Sequence, residues 1–229
     1  MLLIGAKGWD HHEWENTFYP DDLPKDWRLT YYANEFRAVL VPQDTWLAIE
    51  QNEINQWFEE TGEQFIFFFE VGSKKVTQET LSEYQKKLAA LLNALQGFEN
   101  RVGGILVKVV EPDQESAVLT AISNVLNRFS IAVDFVATVP AIARRKMLAQ
   151  WQANACWHGA ESLNDTSTGK LALGMVDSQQ IKSMRQLKTV LVEFIHYASQ
   201  KPACALFFSG NPPSIELMRN AIVIDNLLT

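Results

Sequence analysis

Hydrophobic and polar positions follow two periodicities that alternate along most of the chain. Short runs of β-branched and aromatic residues predict strands, which lie at residues 2–5, 37–41, 64–71, 104–110, 130–136, 153–157, 170–175 and 203–208. The runs at 104–110 and 130–136 are almost continuously apolar. Strands that are buried on both faces have this composition, so the pattern favours a parallel sheet covered by helices.

Between these runs, apolar residues recur at the three- and four-residue spacing of helices. The clearest stripes cover residues 81–95, 118–129 and 184–198. A last helix is predicted at about 213–228, after the pair Pro212 and Pro213, because proline is tolerated in a first helical turn.

The alternation of strands and helices predicts parallel strands joined by right-handed crossovers. Eight strands in 229 residues give about 29 residues per unit, which fits a single-domain α/β fold, a (β/α)8 TIM-type barrel over residues 1–229. Residues 158–168 are polar and rich in turn formers, so one crossover helix is expected to be missing or irregular. An open doubly wound sheet is the alternative, but the Gly5-Ala6-Lys7-Gly8 segment is too short for a glycine-rich dinucleotide fingerprint.

Composition and charge narrow the class of protein. Apolar residues make up 47% of the chain and charged residues 21%, which excludes a disordered protein or a coiled coil. The formal charge is −7, and residues 1–112 carry 18 acids against 10 bases. This balance argues against nucleic-acid binding, which depends on Lys and Arg at the phosphates. Without a long apolar stretch or a basic leader, the chain is predicted to be cytoplasmic and to have no membrane association.

Residues 5–36 carry a specific motif that is rich in aromatic residues. Its elements are Gly8-Trp9, Glu13-Trp14, Phe18-Tyr19-Pro20, Leu23-Pro24, Tyr31-Tyr32-Ala33 and Phe36. This series resembles the YecE-like family, an uncharacterised group of TIM-barrel proteins catalogued as a domain of unknown function. The resemblance implies a barrel for the whole chain and no assigned activity.

The chain departs from the family pattern at the positions where polar residues would be expected. Residues 40–46 replace a Glu-Ile-Asn-Ser-Thr-Phe-Tyr segment, Glu70 replaces a lysine, and Lys108 replaces a glutamine. Val136 and Ala137 stand where an arginine and a histidine are usual. The resemblance therefore implies a divergent member whose ancestral site has been lost or replaced.

In TIM barrels the functional residues lie at the carboxyl ends of the strands, so polar and aromatic residues at the predicted strand ends are the candidates in this chain. The candidate ligand-binding residues are Lys7, Trp9, His11, Trp46, Glu70, Lys108, Asp134, His158, Ser209 and Asn211. No catalytic residue is assigned. Trp9 and Trp46 are included because a tryptophan ring can stack on a sugar or a base, whereas the structural interpretation of Trp9 is that it anchors the first loop to the barrel rim.

Three of these candidates are charges within or at the end of apolar strands, namely Glu70, Lys108 and Asp134. Because buried charges are normally paired, one interpretation is an ion-pair layer in which Lys108 faces Glu70 or Asp134. The other is a polar pocket floor, where Lys108 holds an anion and a carboxylate acts as acid or base.

Metal and thiol chemistry receive little support. The adjacent His11 and His12 would point apart on a loop and have no third ligand at a suitable spacing, so neither a metal nor a cofactor is predicted. Cys156 beside His158 lacks a third group that would orient a nucleophile–base pair. Cys156 and Cys204 are predicted at opposite ends of the barrel, too far apart for a disulfide.

Two functions from different classes remain. The first is a binding or interaction module with a degenerate ancestral site. The second is a metal-independent hydrolase or lyase acting on an anionic, sugar- or nucleotide-like substrate. Convergence of the charged and polar candidates would favour the enzyme.

A small anionic ligand is the expected partner. The segment 209–214 precedes the last helix, where backbone amides favour anions, and Lys7 would lie on the neighbouring first strand. No protein partner or oligomeric state is predicted.

Overall fold

The computed structural model describes residues 2–72, 80–108, 120, 123–125, 135–138, 154–159 and 170–228. Its strands are Leu3–Lys7 (β1), Ala38–Val41 (β2), Ile66–Gly72 (β3), Val102–Lys108 (β4), Phe135–Thr138 (β5), Asn154–Ala155 (β6), Leu171–Asp177 (β7) and Ala203–Ser209 (β8). Each of the predicted strands overlaps one of these eight, because a strand buried between helices and a second apolar layer needs a continuous apolar run.

All eight strands belong to one parallel sheet with the order β6-β5-β4-β3-β2-β1-β8-β7. The two edges, β6 and β7, are joined by a parallel bridge between Trp157 and Gly174. The Trp157 amide donates to the Leu173 carbonyl at 2.8 Å, and the Met175 amide donates to the Trp157 carbonyl at 2.9 Å. The sheet is therefore curled, and the fold is an α/β fold of the TIM-barrel-like type.

Six α-helices have both ends within the described residues: Arg28–Ala33 (α1), Gln43–Leu47 (α2), Gln51–Glu60 (α3), Leu81–Leu95 (α4), Met184–Ala198 (α5) and Ile215–Leu228 (α6). Residues 120 and 123–125 are also helical. The stripes predicted at 81–95 and 184–198 are α4 and α5. Helix α6 begins later than predicted because the Ser214 hydroxyl accepts a hydrogen bond from the Leu217 amide at 3.2 Å, which caps the first turn.

Some expectations fall on residues outside the described part. The helix predicted at 118–129 and the irregular crossover at 158–168 lie mostly there, as does Asp134. Within the described helices, none combines the length and the apolar character needed to cross a bilayer.

Alternate residues of each strand face opposite sides of the sheet and form two apolar layers. The layer inside the curled sheet contains Leu40, Phe68, Leu106, Leu173 and Phe207, and the rings of Phe68 and Phe207 are 5.0 Å apart. The other face packs against the helices. This alternation decides which side chains project into the interior at the carboxyl end of the sheet.

The aromatic motif near the N-terminus holds β1 and β2 together. The Tyr32 hydroxyl accepts a hydrogen bond from the Ala6 amide at 2.7 Å and donates to the Ala38 carbonyl at 3.0 Å. Gly5 permits this close approach, since a Cβ there would lie 2.0 Å from the Ala38 carbonyl oxygen. The Trp14 indole N–H donates to the Pro213 carbonyl at 3.0 Å, which ties the same loop to the segment before α6. These motif residues therefore stabilise the fold.

As predicted, Cys156 and Cys204 do not form a disulfide with each other. Cys156 is buried just beyond β6, whereas Cys204 is half-buried near the start of β8. Because the strands are parallel, these positions lie at opposite ends of the sheet.

Candidate functional site

Polar side chains collect on the interior face of the sheet where the strands end. Lys7, Glu70, Lys108 and Ser209 each lie two residues beyond an interior position of β1, β3, β4 or β8. The two-residue period of strands therefore puts all four on the same face as the inner apolar layer, at its carboxyl end. Several of the predicted site residues are thus brought to one end of the molecule.

Glu70 is neutralised by Lys7. The Lys7 Nζ atom lies 2.5 Å from Glu70 Oε2, and the side chains are 24% and 11% exposed. The indole N–H of Trp46 donates to the Glu70 carbonyl at 2.8 Å. The ion-pair interpretation thus holds for Glu70, but its partner is Lys7 and not Lys108, because Lys7 reaches across the intervening β2.

Lys108 is half-buried and makes no ion pair with any described residue. It lines a cavity of about 460 Å³ above the ends of β6, β7 and β8. A lysine in such a position presents an unpaired ammonium group to whatever enters the cavity. An anion is the complementary ligand.

The described walls of the cavity come from two sources. The strand ends contribute Trp157, His158, Met175, Asp177 and Ser209, and the following turn and helix contribute Gln180, Ile181, Gln186, Val190 and Glu193. On α5 the three lining residues have the spacing i, i+4 and i+7, so they share one helix face. The lining is therefore mixed, with apolar side chains separating a few polar groups, as is typical of small-molecule sites.

Three polar groups of the cavity lie at the strand ends, namely Ser209, Asp177 and His158. The Ser209 hydroxyl donates to the Val176 carbonyl at 3.2 Å, which leaves its oxygen able to accept. The Asp177 carboxylate accepts from the Gln179 amide at 2.9 Å and from Gln180 Nε2 at 3.4 Å, so it stabilises its own turn. The His158 side chain is exposed and lines the same cavity as Lys108.

Three other predicted candidates lie outside this cavity lining, in the first loop and in the packing around β2 and β3. Trp9 is 7% exposed and its ring packs edge-on against Trp57 at 5.0 Å, while Trp46 is 1% exposed. His11 donates through Nε2 to the Lys7 carbonyl at 3.0 Å and packs on Trp14. Burial of the imidazole lowers the pKa of His11.

The N-terminus of α6 is poorly suited to an anion. Asn211 is exposed there, but Pro212 and Pro213 supply no amide. The Ser214 amide donates to Ser178 Oγ at 3.0 Å, and the Leu217 amide donates to Ser214 Oγ. The groups that would bind an anion at 209–214 are largely occupied, and the geometry favours the cavity at Lys108 instead.

Cys156 faces the interior near Lys108 but is 2% exposed. Burial raises the pKa of the Cys156 thiol, and the nearby Lys108 charge offsets this only in part. The thiol is therefore protonated near neutral pH and is a poor nucleophile. In the described part of the chain, His, Cys, Asp and Glu side chains form no cluster of three or more that could hold a metal ion.

Three polar residues of the cavity lining were not predicted from the sequence, namely Gln180, Gln186 and Glu193. The last two lie on the flank of an amphipathic helix, where polar residues normally signal a solvated surface. The one sequence signal was that Gln186 and Glu193 lie seven residues apart, which puts them on the same helix face as Val190.

Comparisons with known proteins support the fold and leave the activity open. The family model described as "Protein of unknown function DUF72" matches residues 3–138. No curated protein matches the sequence.

Solved structures with the same fold include two DUF72 family proteins. The Thermotoga maritima protein is 14% identical, the alignment covers 100% of this chain and 99% of the T. maritima chain, and the TM-score is 0.68. The Enterococcus faecalis protein is 12% identical, the alignment covers 99% of this chain and 96% of the E. faecalis chain, and the TM-score is 0.73. A D-psicose 3-epimerase is more distant, at 7% identity, 99% and 98% coverage and a TM-score of 0.54. Because the family model spans more than half of the sequence, the chain belongs to the DUF72 family of proteins of unknown function.

Proposed function

We propose that this chain is a divergent, YecE-like (β/α)8 barrel that binds a small anionic ligand through Lys108. The barrel proposal is supported by the parallel bridge that joins β6 to β7, and the YecE-like assignment by the motif in residues 5–36. Cys156 and Cys204 form no disulfide with each other, which fits a reducing compartment, so a cytoplasmic location is part of this proposal.

The observation that carries the binding proposal is the ammonium of Lys108 at a cavity of about 460 Å³. Lys7, the other interior lysine at this end, is neutralised by Glu70. Lys108 is therefore the interior cation that a ligand can engage among the described residues. Ser209 lines the same cavity, but its hydroxyl donates to the Val176 carbonyl and would have to turn away from that carbonyl to donate to the anion.

Binding is favoured over a hydrolase or lyase that works through a covalent intermediate, because activated nucleophiles are lacking in the described part of the chain. The Cys156 thiol is buried and its pKa is raised, and the Ser209 hydroxyl is bonded to a backbone carbonyl. A nucleophilic serine needs an adjacent base that takes its proton. One observation keeps the enzyme as a second candidate: His158 lines the cavity together with Lys108, within reach of a bound molecule.

The test is to titrate the wild type and Lys108→Met with phosphate, acetate and succinate and to measure binding by isothermal titration calorimetry. We expect Lys108→Met to weaken binding by about tenfold or more, since charge-assisted contacts contribute roughly 1.5–3 kcal/mol. Lys188→Met is the matched control, because Lys188 is exposed on α5 and does not line the cavity. Equal loss in both variants, or no binding by the wild type, would show the proposal to be wrong.

A further inference from the structure

The cavity contains two charges of opposite sign that do not neutralise each other. Lys108 lies on its β4 side and Glu193 on its α5 side, and both line it. Among the described residues, neither side chain forms an ion pair, so their charged atoms are more than about 4 Å apart. The cavity therefore presents a separated cation and anion.

Glu193 is placed by α5 and is not simply a surface charge. It is half-buried and shares a helix face with Gln186 and Val190, while Phe194 beside it packs into the core. The second carboxylate of the lining, Asp177, is engaged by Gln179 and Gln180 of its own turn. Glu193 is thus the carboxylate that remains available to a ligand.

The surroundings of Glu193 strengthen its electrostatic effect. Val176, Ile181 and Val190 line the same cavity, and apolar walls reduce the screening of a charge by water. An unpaired, partly desolvated carboxylate favours a cationic ligand group that can pair with it.

We infer that the ligand is zwitterionic, with an anionic group that pairs with Lys108 and an amine that pairs with Glu193. This inference rests on the proposed function, since it assumes that Lys108 binds the anionic group. The chemical class is an amino acid whose amine is separated from its carboxylate by a short chain, or a larger molecule that ends in these two groups.

The probes are three unbranched compounds of equal length: 5-aminopentanoate, 5-hydroxypentanoate and glutarate. Glycine, 4-aminobutyrate and 6-aminohexanoate vary the separation of the charges. We expect the wild type to bind 5-aminopentanoate about tenfold more tightly than 5-hydroxypentanoate, a difference of about 1.4 kcal/mol, and to bind glutarate more weakly still. One chain length should bind best, because the two protein charges are fixed.

Two variants separate this inference from the proposed function. Glu193→Gln should abolish the preference for 5-aminopentanoate over 5-hydroxypentanoate, whereas Lys108→Met should weaken the binding of all probes. Glu216→Gln, on the exposed part of α6, is the matched control and should change neither. If the wild type binds the hydroxy acid or glutarate as tightly as the amino acid, the zwitterion inference is wrong and anion binding stands. If no probe binds, both are wrong.

Discussion

Lys7 and Glu70 form an ion pair although their strands are not neighbours in the sheet. The Lys7 Nζ atom lies 2.5 Å from Glu70 Oε2, and β2 separates the strands that carry them. Removing Lys7 would leave a carboxylate whose side chain is only 11% exposed, whereas removing Glu70 would leave a better hydrated ammonium. The two single substitutions should therefore have unequal costs.

We expect Lys7→Met to lower the free energy of unfolding by about 2 kcal/mol and Glu70→Gln by about 1 kcal/mol, less than for a fully buried pair. The double variant should be more stable than the sum of the two effects predicts. Chemical denaturation of all four proteins measures this coupling. The exposed pair of Arg219 and Glu35 is the control, where coupling of about 0–1 kcal/mol is expected. Additive effects of the Lys7 and Glu70 substitutions would show that the pair is solvated.

The hydroxyl of Tyr32, in the aromatic motif, should contribute to stability separately from the packing of its ring. Tyr32→Phe keeps the ring but leaves the buried Ala6 amide and Ala38 carbonyl without their bridging partner. We expect a loss of about 1–3 kcal/mol, the cost of an unsatisfied buried polar group. The neighbouring Tyr31→Phe, whose hydroxyl forms neither of these bonds, should cost much less in the same denaturation experiment. Equal losses would contradict the structural role of the motif.

His11 should make the fold sensitive to mild acid. Burial lowers the pKa of the folded imidazole below its ordinary value of 6.5, although Glu13 and Asp10 act in the opposite direction. The unfolded chain therefore binds the proton more readily, so stability falls as the pH decreases through about 6.5 towards the folded pKa.

Thermal unfolding of the wild type between pH 7.5 and 5.5 should show this loss, and His11→Gln should reduce it. His196→Gln is the control, since His196 lies exposed on α5. A pH dependence that is the same in all three proteins would mean that His11 titrates alike in the folded and unfolded states.

The sequence predicted the strands well because each buried strand needs its own apolar run, which is a local property. It also predicted that Lys7, Glu70, Lys108 and Ser209 lie at one end, because strand alternation and parallel order fix that end. The pairing of Lys7 with Glu70 was not predictable, since it depends on how far a side chain reaches across β2. The spacing of residues along the chain does not show which side chains of non-adjacent strands come into contact.

Glu193 was missed for a different physical reason. A polar residue on the flank of an amphipathic helix has the same pattern whether it faces solvent or a cavity. Only the packing of α5 against the ends of β6 to β8 distinguishes these cases. Trp9 and Trp46 are the opposite case, since both were predicted to bind a ligand and both are buried. A tryptophan near a strand end can equally be a core residue.

The most direct test of the central claim, that Lys108 binds an anion in this cavity, is a map of backbone amide shifts by NMR during titration with 5-aminopentanoate. The account predicts shifts at residues 157–159, 175–177 and 209 that saturate together and disappear in Lys108→Met. Saturable shifts confined to residues 211–217 would instead place the anion at the start of α6. That result, or the same shifts in Lys108→Met, would contradict the account.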